Sequence, residues 1–222
     1  MFKTIFAAGA LATVFGGTLP TYAADTPLTT PTSAVTVAAP TPLSEAEADA
    51  LLFMREEEKL AHDVYVTLYD QWGMRVFTNI AASEQTHTDA IASLLDRYGL
   101  SDPTEGNTVG EFTDPALQAL YDQLVVQGSL SLADALKVGA AIEEIDILDL
   151  EERIVETTHA DIQLVYARLL AGSENHLRAF TSTLARQTGE SYTPQYMEQA
   201  AYDAILAAGG NGGRGQQRGG RR

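Results

Sequence analysis

Between Ser44 and Gly209, apolar residues recur at three- and four-residue steps in four long stretches, and residues that start or stop a helix bound each stretch. The run S-E-A-E at Ser44 is a capping-box pattern with Glu47 at the third helical position. It predicts a first helix over about 45–70, with Leu51, Met54, Ala61, Tyr65 and Leu68 along one side. Trp72 and Gly73 break that helix, and a second pattern runs from about residue 78 to Tyr98-Gly99, with Ile80, Ile91, Leu94 and Leu95 in a row. Residues 99–114 carry turn chemistry, after which Asp114-Pro115 supplies an N-cap and a first-turn proline for a short helix to about Val126. Ser131 with Asp134 opens a third long helix carrying Leu136, Ile147, Leu150 and Ile154. A fourth is predicted from about Thr158 to Arg186, and Thr193-Pro194 is expected to cap a last amphipathic helix ending at Gly209.

No stretch shows the alternating, β-branched pattern that a sheet requires, and no segment of 20–50 residues repeats. The predicted class is therefore all-α: two helical hairpins forming a four-helix bundle, joined by a long crossover that contains a short helix, plus a C-terminal helix. The domain is placed at 44–208.

The ends read differently. Residues 1–23 carry Lys3, an apolar stretch from Ile5 to Phe15, and small residues Thr21 and Ala23 placed for cleavage. Gly16, Gly17 and Pro20 interrupt the apolar run, so it is read as a signal peptide rather than a membrane anchor. Export to the periplasm, cell surface or exterior is expected, with no stable membrane insertion afterwards. Residues 24–43 form a Pro/Thr-rich linker, and 209–222 a Gly/Arg-rich tail expected to be disordered, read as solvated rather than as a tether to a polyanion.

The chain has 14 basic against 30 acidic residues, and Lys3 and four of the arginines belong to the ends, so the folded part is more acidic than the net charge of −16 implies. Such a surface excludes nucleic acid as the domain's main partner and favours cations. With no cysteine at all, thiolate zinc sites, Cys-ligated clusters and a cysteine nucleophile are excluded, and any metal must be held by oxygen and imidazole.

Three of the apolar stripes contain charged residues where a core residue belongs, and the fourth contains an imidazole. Glu58 completes the stripe of the first helix, although it also sits in an R-E-E-E-K run that reads as a solvated face. On the second helix, Glu84 and His87 fall inside the apolar row one turn apart, a spacing at which a carboxylate and an imidazole reach one metal ion. The spacing alone is a weak signal, since Glu156 and His159 repeat it. On the third helix Glu143 is in line with the apolar row, Asp146 follows one turn on, and Glu144 reads as surface because it shares its stripe with Glu151. On the fourth, His176 lies between Leu169 and Phe180. With a turn near 157–158, Ser173 and His176 come level with Glu143, whereas His159 falls about 20 Å away, in a helix-terminal pair with Glu156.

The runs R-E-E-E-K-L-A-H-D-V-Y at 55–65, N-I-A-A-S-E-Q-T-H at 79–87, G-A-A-I-E-E-I-D-I at 139–147 and G-S-E-N-H-L-R-A-F at 172–180 resemble the ferritin-like superfamily. Within it they look like a family labelled only as a domain of unknown function, number 2202. The resemblance covers about residues 44–187. It implies a ferritin-like bundle with a carboxylate–histidine metal centre, usually iron. Rubrerythrin-like and bacterioferritin-like members carry a Glu followed seven residues later by Tyr, similar to Glu58 and Tyr65, a Glu-x-x-His similar to Glu84 and His87, and a third-helix acid similar to Glu143. Asp146 is similar to an extra acid of rubrerythrins. The departure is Ser173, where the pattern has a glutamate three residues before His176; it leaves open one metal ion or two, and zinc or manganese in place of iron.

The expected function is an exported metal-binding protein with Glu58, Glu84, His87, Glu143 and His176 as ligands and Asp146 as a sixth candidate. One or two iron ions would support oxygen or peroxide chemistry of the ferroxidase or peroxidase type, with electrons from an external donor; a homodimer is compatible with this reading. Two rivals use the same chain differently: metal buffering without turnover, and a metal-free helical binding or envelope-structural module tethered by its basic tail.

Overall fold

The first helix, α1 (Glu45–Trp72), starts on the predicted capping box: Ser44 Oγ accepts the Glu47 N–H at 3.2 Å, and Glu47 Oε2 accepts the Ser44 N–H at 3.0 Å. It stops at Gly73, whose φ of 63° is left-handed and lets its N–H close on Tyr69 O. Only Gly73 and Met74 separate α1 from α2 (Arg75–Tyr98), so the two must run antiparallel. Helix α2 starts about three residues earlier than its apolar row indicates, with Met74 as an N-cap that offers no side-chain hydrogen bond. After α3 (Pro115–Gly128), capped by Asp114, the chain forms a second hairpin from α4 (Leu132–Glu156) and α5 (Ala160–Thr188). The computed structural model describes residues 41–209; the expected signal peptide, nearly all of the linker and nearly all of the Gly/Arg-rich tail lie outside them.

Among the described residues every regular element is a helix, and the fold is an all-α bundle. Helix α1 packs mainly on α2 and α4 mainly on α5, and the hairpins meet through α1 with α4 and α2 with α5, while α3 lies against α1 and α4. None of these helices is long and apolar enough to cross a membrane.

The last helix, α6 (Gln199–Gly209), starts five residues beyond the expected Thr193-Pro194 cap. The reason is Glu144. This residue is not on the surface as its stripe predicts, but fully buried. Its carboxylate accepts the N–H groups of Gln195 (3.0 Å), Tyr196 (2.7 Å) and Met197 (2.9 Å). Those three N–H groups converge on one anion, which holds 195–197 in a bend and delays the helix.

The apolar interior falls into two clusters. One gathers Leu60, Tyr65, Phe77, Leu136, Leu177 and Phe180, and the other Leu51, Met54, Ile91, Leu95, Leu150 and Tyr166. Between them, at the level of residues 56–58, 84–88, 143–146 and 173–176, every long helix contributes buried polar side chains. Such a layer costs stability unless something compensates its charge.

Candidate metal centre

At the middle of that layer, Glu84 of α2 is 1 % exposed and stands between two histidines. Its Oε2 is 2.8 Å from His87 Nδ1 and its Oε1 is 2.7 Å from His176 Nδ1. Glu58 Oε2 approaches His87 Nδ1 from α1 at 3.3 Å, and Glu143 Oε2 approaches His176 Nδ1 from α4 at 3.4 Å. The two imidazole rings stack with centroids 5.4 Å apart. Two groups of three result, Glu58–Glu84–His87 and Glu84–Glu143–His176, each with its donor atoms within 4.8 Å of one another, and Glu84 belongs to both. Either group could hold a metal ion.

The surroundings fix these donors. Tyr65, two turns along α1 from Glu58, donates to Glu143 Oε1 at 2.5 Å. His176 Nε2 lies 3.0 Å from Ser83 Oγ, which leaves Nδ1 turned to the carboxylates. His87 Nε2 abuts the α5 backbone at Gly172, where a Cβ would lie only 2.6 Å away.

Burial pushes the Glu58 and Glu143 carboxyls up to about 7, with the nearby Glu84 charge adding to it. Burial acts on Glu84 in the same sense, but the two histidines outweigh it and bring Glu84 down to about 2. For the imidazoles burial disfavours the cation, yet the flanking carboxylates raise His87 to about 11 and His176 to about 10. Three carboxylates and two imidazoles thus share a few protons in a buried layer, an arrangement in which cations can displace the protons. Glu84 Oε1 and His176 Nδ1 are in contact, but not in hydrogen-bond geometry, and both lack a partner, as does Glu58 Oε1.

The structure therefore brings together Glu58, Glu84, His87, Glu143 and His176. Asp146 is buried next to them but belongs to neither group of three; its Oδ2 is bonded to the Ser173 hydroxyl. His159 lies away from the centre, with a different partner from the one expected: its Nδ1 is 2.8 Å from Glu47 Oε1, while Glu156 pairs with Arg153. His62 contacts Asp63.

Several residues here escaped the sequence pattern. The R-E-E-E-K run is not a solvated face, since Glu56, Glu57 and Glu58 are all buried. Glu56 accepts the backbone N–H groups of Thr113 and Asp114, tying the crossover to α1. Three consecutive acids on three sides of one helix would have signalled this only with knowledge that the crossover folds over α1. Ser83 and Gly172 carry no signal of their own.

Comparison with known proteins adds a lineage to this geometry. Residues 47–209 match the family described as an uncharacterized protein domain, DUF2202. The chain belongs to that family. It is 49% identical over 167 residues to an uncharacterized protein of Methanocaldococcus jannaschii, MJ0754, covering 75% of this chain and 90% of that one. The crystal structure of that hypothetical protein superposes with a TM-score of 0.73, covering 76% of this chain and 95% of the other. The two chains thus share the helical scaffold, and the chemistry has to be argued from the side chains.

Proposed function

We propose that this DUF2202 protein is a ferritin-like dinuclear metal protein in which Glu58 and His87 hold one ion, Glu143 and His176 hold the second, and Glu84 lies between the two. The observation that carries this reading is Glu84, whose two oxygens each face the Nδ1 of a different histidine, at 2.8 and 2.7 Å. Oxygen and imidazole donors without thiolate suit iron, manganese or zinc, and the resemblance of the four runs favours iron. Iron at such a centre supplies redox chemistry with dioxygen or peroxide. The protein's part is to fix the donors: Tyr65 holds Glu143, Ser83 holds the outer nitrogen of His176, and the apolar clusters on either side exclude water.

Export, as the N-terminal pattern suggests, and an external electron donor, as the lack of cysteine suggests, complete the proposal. Buffering of metal without turnover uses the same donors, and a metal-free module would leave Glu58 Oε1 buried without a hydrogen bond. The test is elemental analysis of protein purified without added metal. About two equivalents are expected, lost together in a folded Glu84→Ala/His176→Ala variant; no metal above background after reconstitution refutes the centre. Dioxygen or peroxide consumption by iron-loaded protein then separates turnover from buffering.

A further inference from the structure

A cavity of about 340 Å³ lies at the end of the bundle where α1 begins, α4 ends and α5 begins, and it shares no residue with the candidate metal centre. Ala46 and Ala50 of α1 and Ile162 of α5 give it an apolar wall. Two polar atoms of residues in the same lining stand out. Tyr166 is 1 % exposed, and its hydroxyl has no hydrogen-bond partner among the described residues; the Nε of Arg153, also buried, has none either. The guanidinium lies over the Phe53 ring, 5.9 Å from its centroid, which steadies the plane of that donor. An unpaired buried donor is costly, and this cavity keeps two.

The charged groups of the lining already have partners within the protein. Glu156 Oε2 accepts from Arg153 Nη1 at 3.1 Å. Glu47 Oε2 accepts the Ser44 N–H at 3.0 Å, while its Oε1 accepts the Thr157 hydroxyl at 2.7 Å and lies 2.8 Å from His159 Nδ1. The cavity therefore lacks an acceptor that carries no charge. We infer that it is a binding site for a small neutral organic molecule, whose carbonyl oxygen takes up the Arg153 Nε–H and the Tyr166 hydroxyl and whose apolar part rests against Ala50 and Ile162. The volume is within the range of about 300–1,000 Å³ that small-molecule sites occupy, and apolar walls with a few polar groups are their usual make-up. A carboxylate in the same place would bring a charge with nothing left to compensate it. A hydrocarbon would leave both donors unpaired.

Acetophenone, toluene and benzoate serve as probes, since all three carry a phenyl ring and only the first adds a neutral acceptor. Amide NMR of the full chain titrated with acetophenone is expected to show saturable shifts at Ala46, Ala50 and Ile162. Toluene, which has no acceptor, and benzoate, whose acceptor is charged, should each bind about tenfold more weakly. Tyr166→Phe removes the hydroxyl and keeps the ring; Arg153→Lys removes the Nε–H and keeps the charge. Each should weaken acetophenone by about tenfold and leave toluene unchanged. Should either variant not fold, the three probes on the wild type decide alone. Toluene or benzoate binding as tightly as acetophenone, an acetophenone affinity unchanged in both variants, or no saturable shift at the three amides overturns the site. The dinuclear centre is read from metal content instead, so it stands or falls separately.

Discussion

Gly172 and His87 sit on different helices at a separation that no side chain tolerates: a Cβ on Gly172 would lie 2.6 Å from His87 Nε2 and 2.7 Å from Cε1. The glycine of α5 is the wall against which an imidazole of α2 is set, so the orientation of the centre depends on an atom that is not there.

Gly172→Ala therefore reverses the usual rule. In an open helix this change stabilises by about 1 kcal/mol. Here the methyl must push the His87 ring away from Glu84 and Glu58, and about a 10–100-fold loss of metal affinity is expected with the helix content unchanged. Metal titration alongside circular dichroism checks it. Unaltered affinity would mean that His87 does not need its present position.

Tyr65→Phe removes the hydroxyl that donates to Glu143 Oε1. Loss of this buried bond to a carboxylate should destabilise the metal-free protein by about 1.5–3 kcal/mol. Denaturant unfolding with and without metal measures the cost in each state. It should be smaller in the loaded protein if Glu143 is then held by a cation.

The response to pH has a sign that metal should reverse. The carboxyls of Glu58 and Glu143 ionise near 4.5 when unfolded and at about 7 when folded, so the folded state gains protons relative to the unfolded state, and stability falls as pH rises through that interval. His87 and His176 act in the same direction at higher pH. Their contribution is complete below 6.5 and is lost as pH rises through about 11 and about 10. Glu84 acts oppositely, its contribution being lost as pH falls from 4.5 towards about 2. Metal-free protein should thus be most stable in mild acid. Added metal replaces those protons, so the stabilisation it gives should grow from pH 5 to pH 8. Unfolding midpoints against pH, with and without metal, decide this; a metal effect that shrinks with pH would contradict it.

Glu144→Ala should detach the α6 segment and leave the centre intact. Its carboxylate holds the N–H groups of three successive residues, 195–197, and removing it should cost about 3 kcal/mol or more. Proteolysis is expected to cut between residues 190 and 198 with metal content unchanged. Resistance to cleavage would place the anchor elsewhere.

Much of this was readable along the chain because it is local. The Ser44–Glu47 box, the glycine stops at 73 and 99 and the Asp114 cap each act within one helical turn. Glu58, Glu84, Glu143 and His176 stand out because each interrupts an apolar row on its own helix. Glu144 and His159 escaped because their environments are made by distant chain: residues 195–197 fold back over Glu144, and Glu47 reaches His159 across 112 positions. Periodicity shows which face of a helix a side chain occupies, but not what a later segment lays upon that face.

The account stands on one carboxylate shared by two cations. Anomalous diffraction from iron-loaded crystals tests it most directly. Two peaks about 3.5–4 Å apart, one beside each oxygen of Glu84 and each adjoining one histidine, are predicted. A single peak, or iron bound away from Glu84 with His87 and His176 still in contact with its oxygens, would contradict it.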